Sequence, residues 1–281
     1  MNLNDKRILV TGSAGFIGNA LADTLQSLGG ELWNYDIEGG DDVLDYSNLL
    51  NTVDRNEIEL IYHLAAQPIV PIANKYPYNT LNTNILGTLN VLDVCERYKI
   101  PCVIASSDKA YGETADGYTE ESALNAKYAY DLSKACADKI AQVYQSRGNV
   151  VKVMRLSNVY GPGDTHRTRL VPHVIKSYLN GVRPVLRGDP SMVRPWIYID
   201  DAVQAYINAL DDERDIISVG GIPHSVGEVV ETIRQLTHGL PPIVEGNTAN
   251  ELQHQLFARI DVADDFEDNI VKTIEWWEKI V

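Results

Sequence analysis

A turn of glycines between a short apolar run and a helix-spaced segment restricts the fold more than any other feature. Arg7-Ile8-Leu9-Val10 reads as a buried strand, and Thr11-Gly12-Ser13-Ala14-Gly15-Phe16-Ile17-Gly18 follows it directly. From Phe16 the apolar residues Ile17, Ala20, Leu21, Leu25 and Leu28 recur at helical spacing, which predicts a helix over Gly15–Leu28. Strand, tight turn and helix in that order open a parallel α/β unit. The glycines allow the turn, and backbone N–H groups then stand at a helix N-terminus, where an anion is favoured. Gly12, Gly15 and Gly18 are spaced G-x-x-G-x-x-G, not G-x-G-x-x-G, so their weight comes from the strand before them and the helix after.

The pattern continues. Glu31–Tyr35, Leu60–Leu64, Pro101–Ala105 and Val150–Leu156 read as further strands, with long amphipathic helices over Leu81–Tyr98 and Tyr128–Gln145. Alternation at these lengths predicts an α/β fold, a Rossmann-type doubly wound parallel sheet covered on both faces. After Gly161-Pro162-Gly163 the pattern loosens into helices over Leu170–Asn180, Asp201–Leu210, Ser225–Thr237 and Asp268–Ile280. Short strands lie around Pro184–Leu186, Pro195–Ile199 and Ile216–Val219. This gives a dinucleotide-binding domain over 1–164 and a smaller α/β C-terminal substrate lobe over 165–281, with segments returning to the first. Trp276 and Trp277 are expected to serve helix packing.

At 281 residues with 44% apolar content the chain has material for a substantial core. No apolar run reaches the length of a membrane span, and the N-terminus leads into a strand with no signal-peptide pattern. Cys95, Cys102 and Cys136 lack metal or redox spacing, which suits reduced thiols in a cytoplasmic protein. The net charge of −15 argues against nucleic acid as a partner. Yet Val151–Ile199 holds eight basic residues against two acidic ones, +6, leaving −21 elsewhere. Such an island suits a small phosphorylated ligand, or is simply a solvated face. His166, His173, His224, His238 and His254 show no ligand spacing, so no metal site is expected; His63 and Asn84 read as structural.

Asp36 ends the second strand, where a carboxylate accepts hydrogen bonds from a ribose 2′-OH and repels a 2′-phosphate, favouring NAD over NADP. Tyr130 and Lys134 are one helical turn apart, and an ammonium beside a phenol favours the phenolate. With 15 tyrosines in the chain this spacing arises readily by chance; its place after the fourth strand gives it meaning. Ser107-Asp108-Lys109 directly follows that strand, putting a hydroxyl, an acid and a base together, although an exposed charged pair would read the same way.

The order TGSAGFIG, HLAAQ, SSDKAYG, YDLSK and RLSNVYGPGD resembles the extended short-chain dehydrogenase/reductase superfamily, the NAD-dependent nucleotide-sugar epimerases and dehydratases, through nearly the whole chain. Ser107-Asp108-Lys109, Ala66-Gln67-Pro68, Arg169-Leu170-Val171-Pro172 and Arg194-Pro195-Trp196 are most similar to the CDP-glucose 4,6-dehydratase branch. The resemblance implies a nucleotide-sugar 4,6-dehydratase, a lyase, with NAD held by Gly12, Gly15, Phe16, Ile17, Gly18, Asp36, Asp45 and Lys134. It implies that Ser107 bonds the sugar 4-OH while Tyr130, aided by Lys134, deprotonates it as hydride leaves C4. Lys109 then removes the C5 proton, protonated Asp108 donates to the departing 6-OH, and hydride returns at C6. Asn158, Arg169 and Arg194 would hold the nucleotide diphosphate, and the long helices would pair across a homodimer. Two departures stand out: only eight residues separate Asp36 from Asp45, and the C-terminal lobe is short. A 4-epimerase is the alternative, since it needs no acid–base pair; a non-catalytic NAD-binding sensor would need no Tyr–Lys pair.

Overall fold

Strands buried on both faces should be mostly apolar, and the central ones are, with a few buried polar residues among them. We describe the protein from a computed structural model, which covers residues 2–112, 117–245 and 265–281. β1 (Arg7–Thr11) is buried from Ile8 onward, and β3 (Leu60–His63) and β5 (Val151–Leu156) along their whole length. With β2 (Glu31–Tyr35), β4 (Cys102–Ser107) and β9 (Ile216–Val219) they form one parallel sheet in the order β2-β1-β3-β4-β5-β9. The winding direction reverses between β1 and β3. In such sheets the crevice beyond the carboxyl ends of the strands at that point is where ligands bind.

Successive strand residues face opposite sides. On one side Leu9, Ile61, Ile104 and Val153 pack with α2 (Tyr46–Arg55), α5 (Gly87–Tyr98) and Ala141 of α6 (Ala129–Ser146) in a single apolar cluster. On the other, α1 (Phe16–Ser27) buries Leu21 and Leu25 against β1 and β2. The long helix expected from Leu81 starts earlier and is not uniform. After α3 (Val70–Lys75), α4 (Pro77–Leu81) widens into a π-helical turn at Asn82–Leu86 before α5 begins. Pro77 at the first helical position explains the earlier start, since its missing N–H has no partner to lose there. Helix α2 is not among the expected elements; Asp45 caps it by accepting the Asn48 N–H at 3.0 Å.

The chain divides into two compact units: Met1–Gly112, Glu120–Leu156 and Ala202–Val219 make the first, and Glu113–Thr119, Ser157–Asp201 and Gly220–Val281 the second. Ile216–Val219, the last short strand of the pattern, is thus the sixth strand of the main sheet. Within the second unit β6 (Asn158–Tyr160) pairs parallel with β8 (Val193–Tyr198), which pairs antiparallel with β10 (Ile222–Ser225). β7 (Val185–Leu186) pairs with β11 (Ile243–Val244), and α7 (Leu170–Leu179), α9 (Val226–Leu236) and α10 (Phe266–Glu278) pack together. In the sequence α8 (Ile199–Asn208) follows β8. Trp277 is buried on α10, with Trp276 packed edge-on against it. No helix among the described residues is long and apolar enough to cross a membrane.

Candidate active site

The glycine turn sits at the switch point. Gly12 has φ +72°, and a Cβ there would lie 2.6 Å from the Ala65 nitrogen. A Cβ on Gly18 would fall 2.0 Å from the Gly12 carbonyl oxygen, so α1 can approach the turn this closely only without a side chain. Gly15 caps α1 with no side-chain hydrogen bond to its first turn, and Phe16 and Ile17 open the helix. Asp36, at the tip of β2, accepts the Ala14 N–H on Oδ2 and the Glu38 N–H on Oδ1, each at 3.0 Å. A helix N-terminus without a side-chain cap, entered through glycines and flanked by a carboxylate, has the donors and acceptor that a dinucleotide's pyrophosphate and ribose require. Asp45, one short turn further on, is exposed and engaged as the cap of α2.

The residues expected to be reactive gather at the end of β4. Lys134 is buried on α6 and donates to the Ala105 carbonyl at 2.7 Å; burial lowers its pKa to about 8. Tyr130 stands one turn earlier on α6. The phenol of Tyr206, buried on α8, is pushed to higher pKa by burial and by Tyr130, and so remains neutral. Ser107 ends β4 and caps the 3-10 turn Asp108–Tyr111. Its Oγ accepts the Lys109 N–H at 3.2 Å and donates to Asp108 Oδ1 at 3.1 Å. Lys109 follows, half-buried. The chain therefore brings Ser107, Asp108, Lys109, Tyr130 and Lys134 onto one strand end and the first turns of one helix.

A buried relay backs this cluster. The Ala65 N–H donates to Thr11 Oγ1, which bonds His63 Nδ1 at 2.8 Å; His63 Nε2 bonds Thr88 Oγ1 at 3.0 Å, and Thr88 donates to the Asn84 carbonyl. Since Thr88 spends its proton on Asn84, His63 must donate from Nε2 and accept at Nδ1. Burial and the nearby Lys134 charge hold the His63 pKa at about 3, so the ring is neutral. Asn84 lies in the π turn, where its Nδ2 donates to Ser133 Oγ at 2.8 Å, and Ser133 donates to the Tyr130 carbonyl at 2.6 Å.

The residues expected to hold a diphosphate lie in the second unit. Asn158 on β6 pairs in register with Trp196 on β8 and donates to the Pro195 carbonyl at 3.3 Å, beside buried Arg194, whose Nη2 reaches Met192 Sδ. Arg169 stands at the start of α7 and is ion-paired with Asp164 at 2.8 Å. Burial raises the Asp164 pKa while Arg169 opposes the rise. Among the described residues no group of three His, Cys, Asp or Glu side chains could hold a metal; His254 lies outside them.

Sequence reasoning missed Asp138, Arg155 and Tyr111, which form a buried polar centre behind the cluster. The one available signal was that Asp138 continues the four-residue interval of Tyr130 and Lys134.

The family described as the NAD dependent epimerase/dehydratase family matches residues 8–220. CDP-glucose 4,6-dehydratase of Salmonella typhimurium is 28% identical over 72% of this chain, a stretch that spans 65% of that protein's length. UDP-N-acetyl-alpha-D-glucosaminuronate decarboxylase of Bacillus cytotoxicus is also 28% identical, over 85% of this chain and 83% of that one. The solved UDP-glucose 4-epimerase of Thermus thermophilus, a complex with NAD, superposes with a TM-score of 0.88 at 27% identity and covers 98% of this chain and 100% of its own. The chain belongs to the NAD dependent epimerase/dehydratase family.

Proposed function

Within that family we propose that this protein is a nucleotide-sugar 4,6-dehydratase using NAD. Relatives of nearly equal identity bear the names of three different reactions, so the reaction has to be argued from this chain's own residues. The observation that carries the reading is the hydrogen-bonded Ser107–Asp108 pair with Lys109 beside it, on the strand end where Lys134 is anchored. Oxidation and re-reduction alone need only Ser107, Tyr130 and Lys134. Elimination of water needs a base for a carbon-bound proton and an acid for the leaving hydroxyl, and Lys109 and Asp108 are the residue types for those tasks.

Gly12, Gly15, Phe16, Ile17, Gly18 and Asp36 would hold the cofactor's pyrophosphate and adenosine ribose, with Asp45 toward the adenine and Lys134 on the nicotinamide ribose. When bound, NAD supplies a hydride acceptor for the sugar carbinol and a donor that reduces the product. Ser107 fixes the 4-OH, and Tyr130 takes its proton with the Lys134 ammonium stabilising the phenolate. Lys109 takes the proton at C5, made acidic by the C4 ketone, and Asp108 gives a proton to the 6-OH as it departs. Asn158, Arg169 and Arg194 are proposed to bind the diphosphate, which requires Arg169 to share its guanidinium with Asp164. A homodimer is proposed from Leu86, Leu89, Leu132 and Val143, which are left exposed along α5, the turn before it and α6.

Incubation with CDP-, dTDP-, UDP- and GDP-hexoses followed by mass spectrometry tests the activity. A product lighter by one water is expected, and Tyr130→Phe should abolish it while NAD binding persists. Conversion without mass change on every sugar would instead identify an epimerase, and turnover undiminished in Tyr130→Phe would remove the base from its role.

A further inference from the structure

Tyr130, Lys134 and Asp138 recur every four residues and so line one stripe of α6. Two of them bolt the helix to consecutive residues of β4: Lys134 to the Ala105 carbonyl at 2.7 Å, and Asp138 Oδ2 to the Ser106 hydroxyl at 2.9 Å. The next residue is Ser107. Asp138 is wholly buried and receives a fork from Arg155 on β5, Nε to Oδ2 at 2.7 Å and Nη2 to Oδ1 at 2.9 Å; Gln142 Nε2 also donates to Oδ1, at 2.7 Å. Arg155 is 1% exposed, and its Nη1 donates to the Tyr111 hydroxyl at 2.8 Å and the Glu120 carbonyl at 3.0 Å. Tyr111 closes the 3-10 turn that begins with Asp108 and Lys109, and its hydroxyl reaches Ser218 Oγ on β9 at 3.2 Å.

One ion pair thus touches the helix bearing Tyr130 and Lys134, the strand ending in Ser107, and the turn bearing Asp108 and Lys109. Burying two charges is expensive, and apolar residues of the same volume commonly give equal or greater stability, so stability alone does not explain the pair. Its geometry does. Asp138 and Arg155 satisfy each other and bond four other residues, Ser106, Gln142, Tyr111 and Glu120, with directional bonds that apolar packing could not supply.

We propose that Asp138 and Arg155, acting through Tyr111, are positioning residues that hold α6 and the Ser107–Tyr111 turn in the register turnover requires. The proposal rests on the catalytic roles given above to the groups it positions. None of the three is assigned contact with substrate or cofactor.

Asp138→Asn, Arg155→Lys and Tyr111→Phe test it. Asp138→Asn keeps shape, Arg155→Lys keeps charge but loses the fork, and Tyr111→Phe removes one hydroxyl from a ring that otherwise stays packed. The expected result is a kcat lowered about tenfold or more, with KM for the nucleotide sugar and NAD affinity little changed, because misplacement affects reacting geometry more than binding. A second readout needs no turnover. In protein carrying 13C at lysine Cε, the Lys134 signal, identified by its loss in Lys134→Met, should titrate at higher pH in Asp138→Asn as the ammonium leaves its dry site. Folded Asp138→Asn and Tyr111→Phe proteins with parental kcat would overturn the proposal, as would an unmoved Lys134 titration. Should the parent transform no nucleotide sugar, the proposed activity fails, and the Lys134 titration still decides whether the pair positions α6.

Discussion

Replacing Lys134 by Met isolates the charge that the site forces into the core. Burial lowers the Lys134 pKa from 10.5 to about 8, and its side chain is almost wholly removed from solvent. Below about pH 8 folded and unfolded chains both carry the proton, and the folded protein bears the full cost of desolvating it. Between pH 8 and 10.5 the unfolded chain still holds a proton that the folded chain has lost, so stability rises with pH. At roughly 1.4 kcal/mol per unit the whole shift is worth about 3 kcal/mol, most of which is recovered between pH 7 and pH 10. In Lys134→Met that recovery is absent. The Ala105 carbonyl also loses its donor, a cost of about 1–3 kcal/mol, but a carbonyl does not titrate, so this offset is constant with pH. Titrating side chains remote from Lys134 are common to both proteins and cancel in the difference. Urea unfolding of both proteins at several values between pH 7 and pH 10 measures it directly. The parent should gain about 2–3 kcal/mol on the variant over that range. A difference flat to within about 0.5 kcal/mol would mean that Lys134 keeps an ordinary pKa, and the dry, ammonium-holding site would be refuted.

Two further outcomes follow from the same structure. Gly18→Ala places a methyl 2.0 Å from the Gly12 carbonyl, so α1 must move off the turn; NAD titration by calorimetry should show affinity weakened by about tenfold or more, and retained affinity would show that the turn does not bind the cofactor. Sedimentation at micromolar concentration should give twice the chain mass, falling to the single-chain mass when Leu89 and Leu132, at 36% and 41% exposure, are both changed to Glu; a single-chain mass for the parent would dispose of the dimer.

What the sequence revealed depended on whether a feature repeats locally. The strand, glycine turn and first helix were legible because each has its own short-range signature, and all three lie where the pattern placed them. Helix α2 was not, although Tyr46, Leu49, Leu50 and Val53 have helical spacing, because that stripe is only about two turns long in an otherwise polar segment. Short strands such as β6 and β10 are below the length at which alternation can be seen. The strand at Ile216–Val219 was legible as a strand but not as a member of the main sheet, since period says nothing about which neighbour a strand will pair with. The same limit applies to the site. Ser107-Asp108-Lys109 and Tyr130 with Lys134 are local spacings, but the fork between Asp138 and Arg155 joins a helix to a strand, and no interval along the chain announces it.

His63 decides which group gives the cluster its response to pH. A histidine beside an ammonium would ordinarily be the first suspect for titration near neutrality. Here burial and Lys134 hold it at about 3, and two threonines occupy both ring nitrogens, so its tautomer is fixed while Lys134 itself titrates. The relay from the strand before Gly12, through His63 and Asn84, to the Tyr130 carbonyl therefore keeps one set of donors and acceptors across that range. Protonating the ring would turn Nδ1 into a donor facing a hydroxyl that already donates to it, which burial penalises further. The network can thus hold α6 in place without titrating, and the charge that changes near pH 8 is the one adjacent to Tyr130 on the helix.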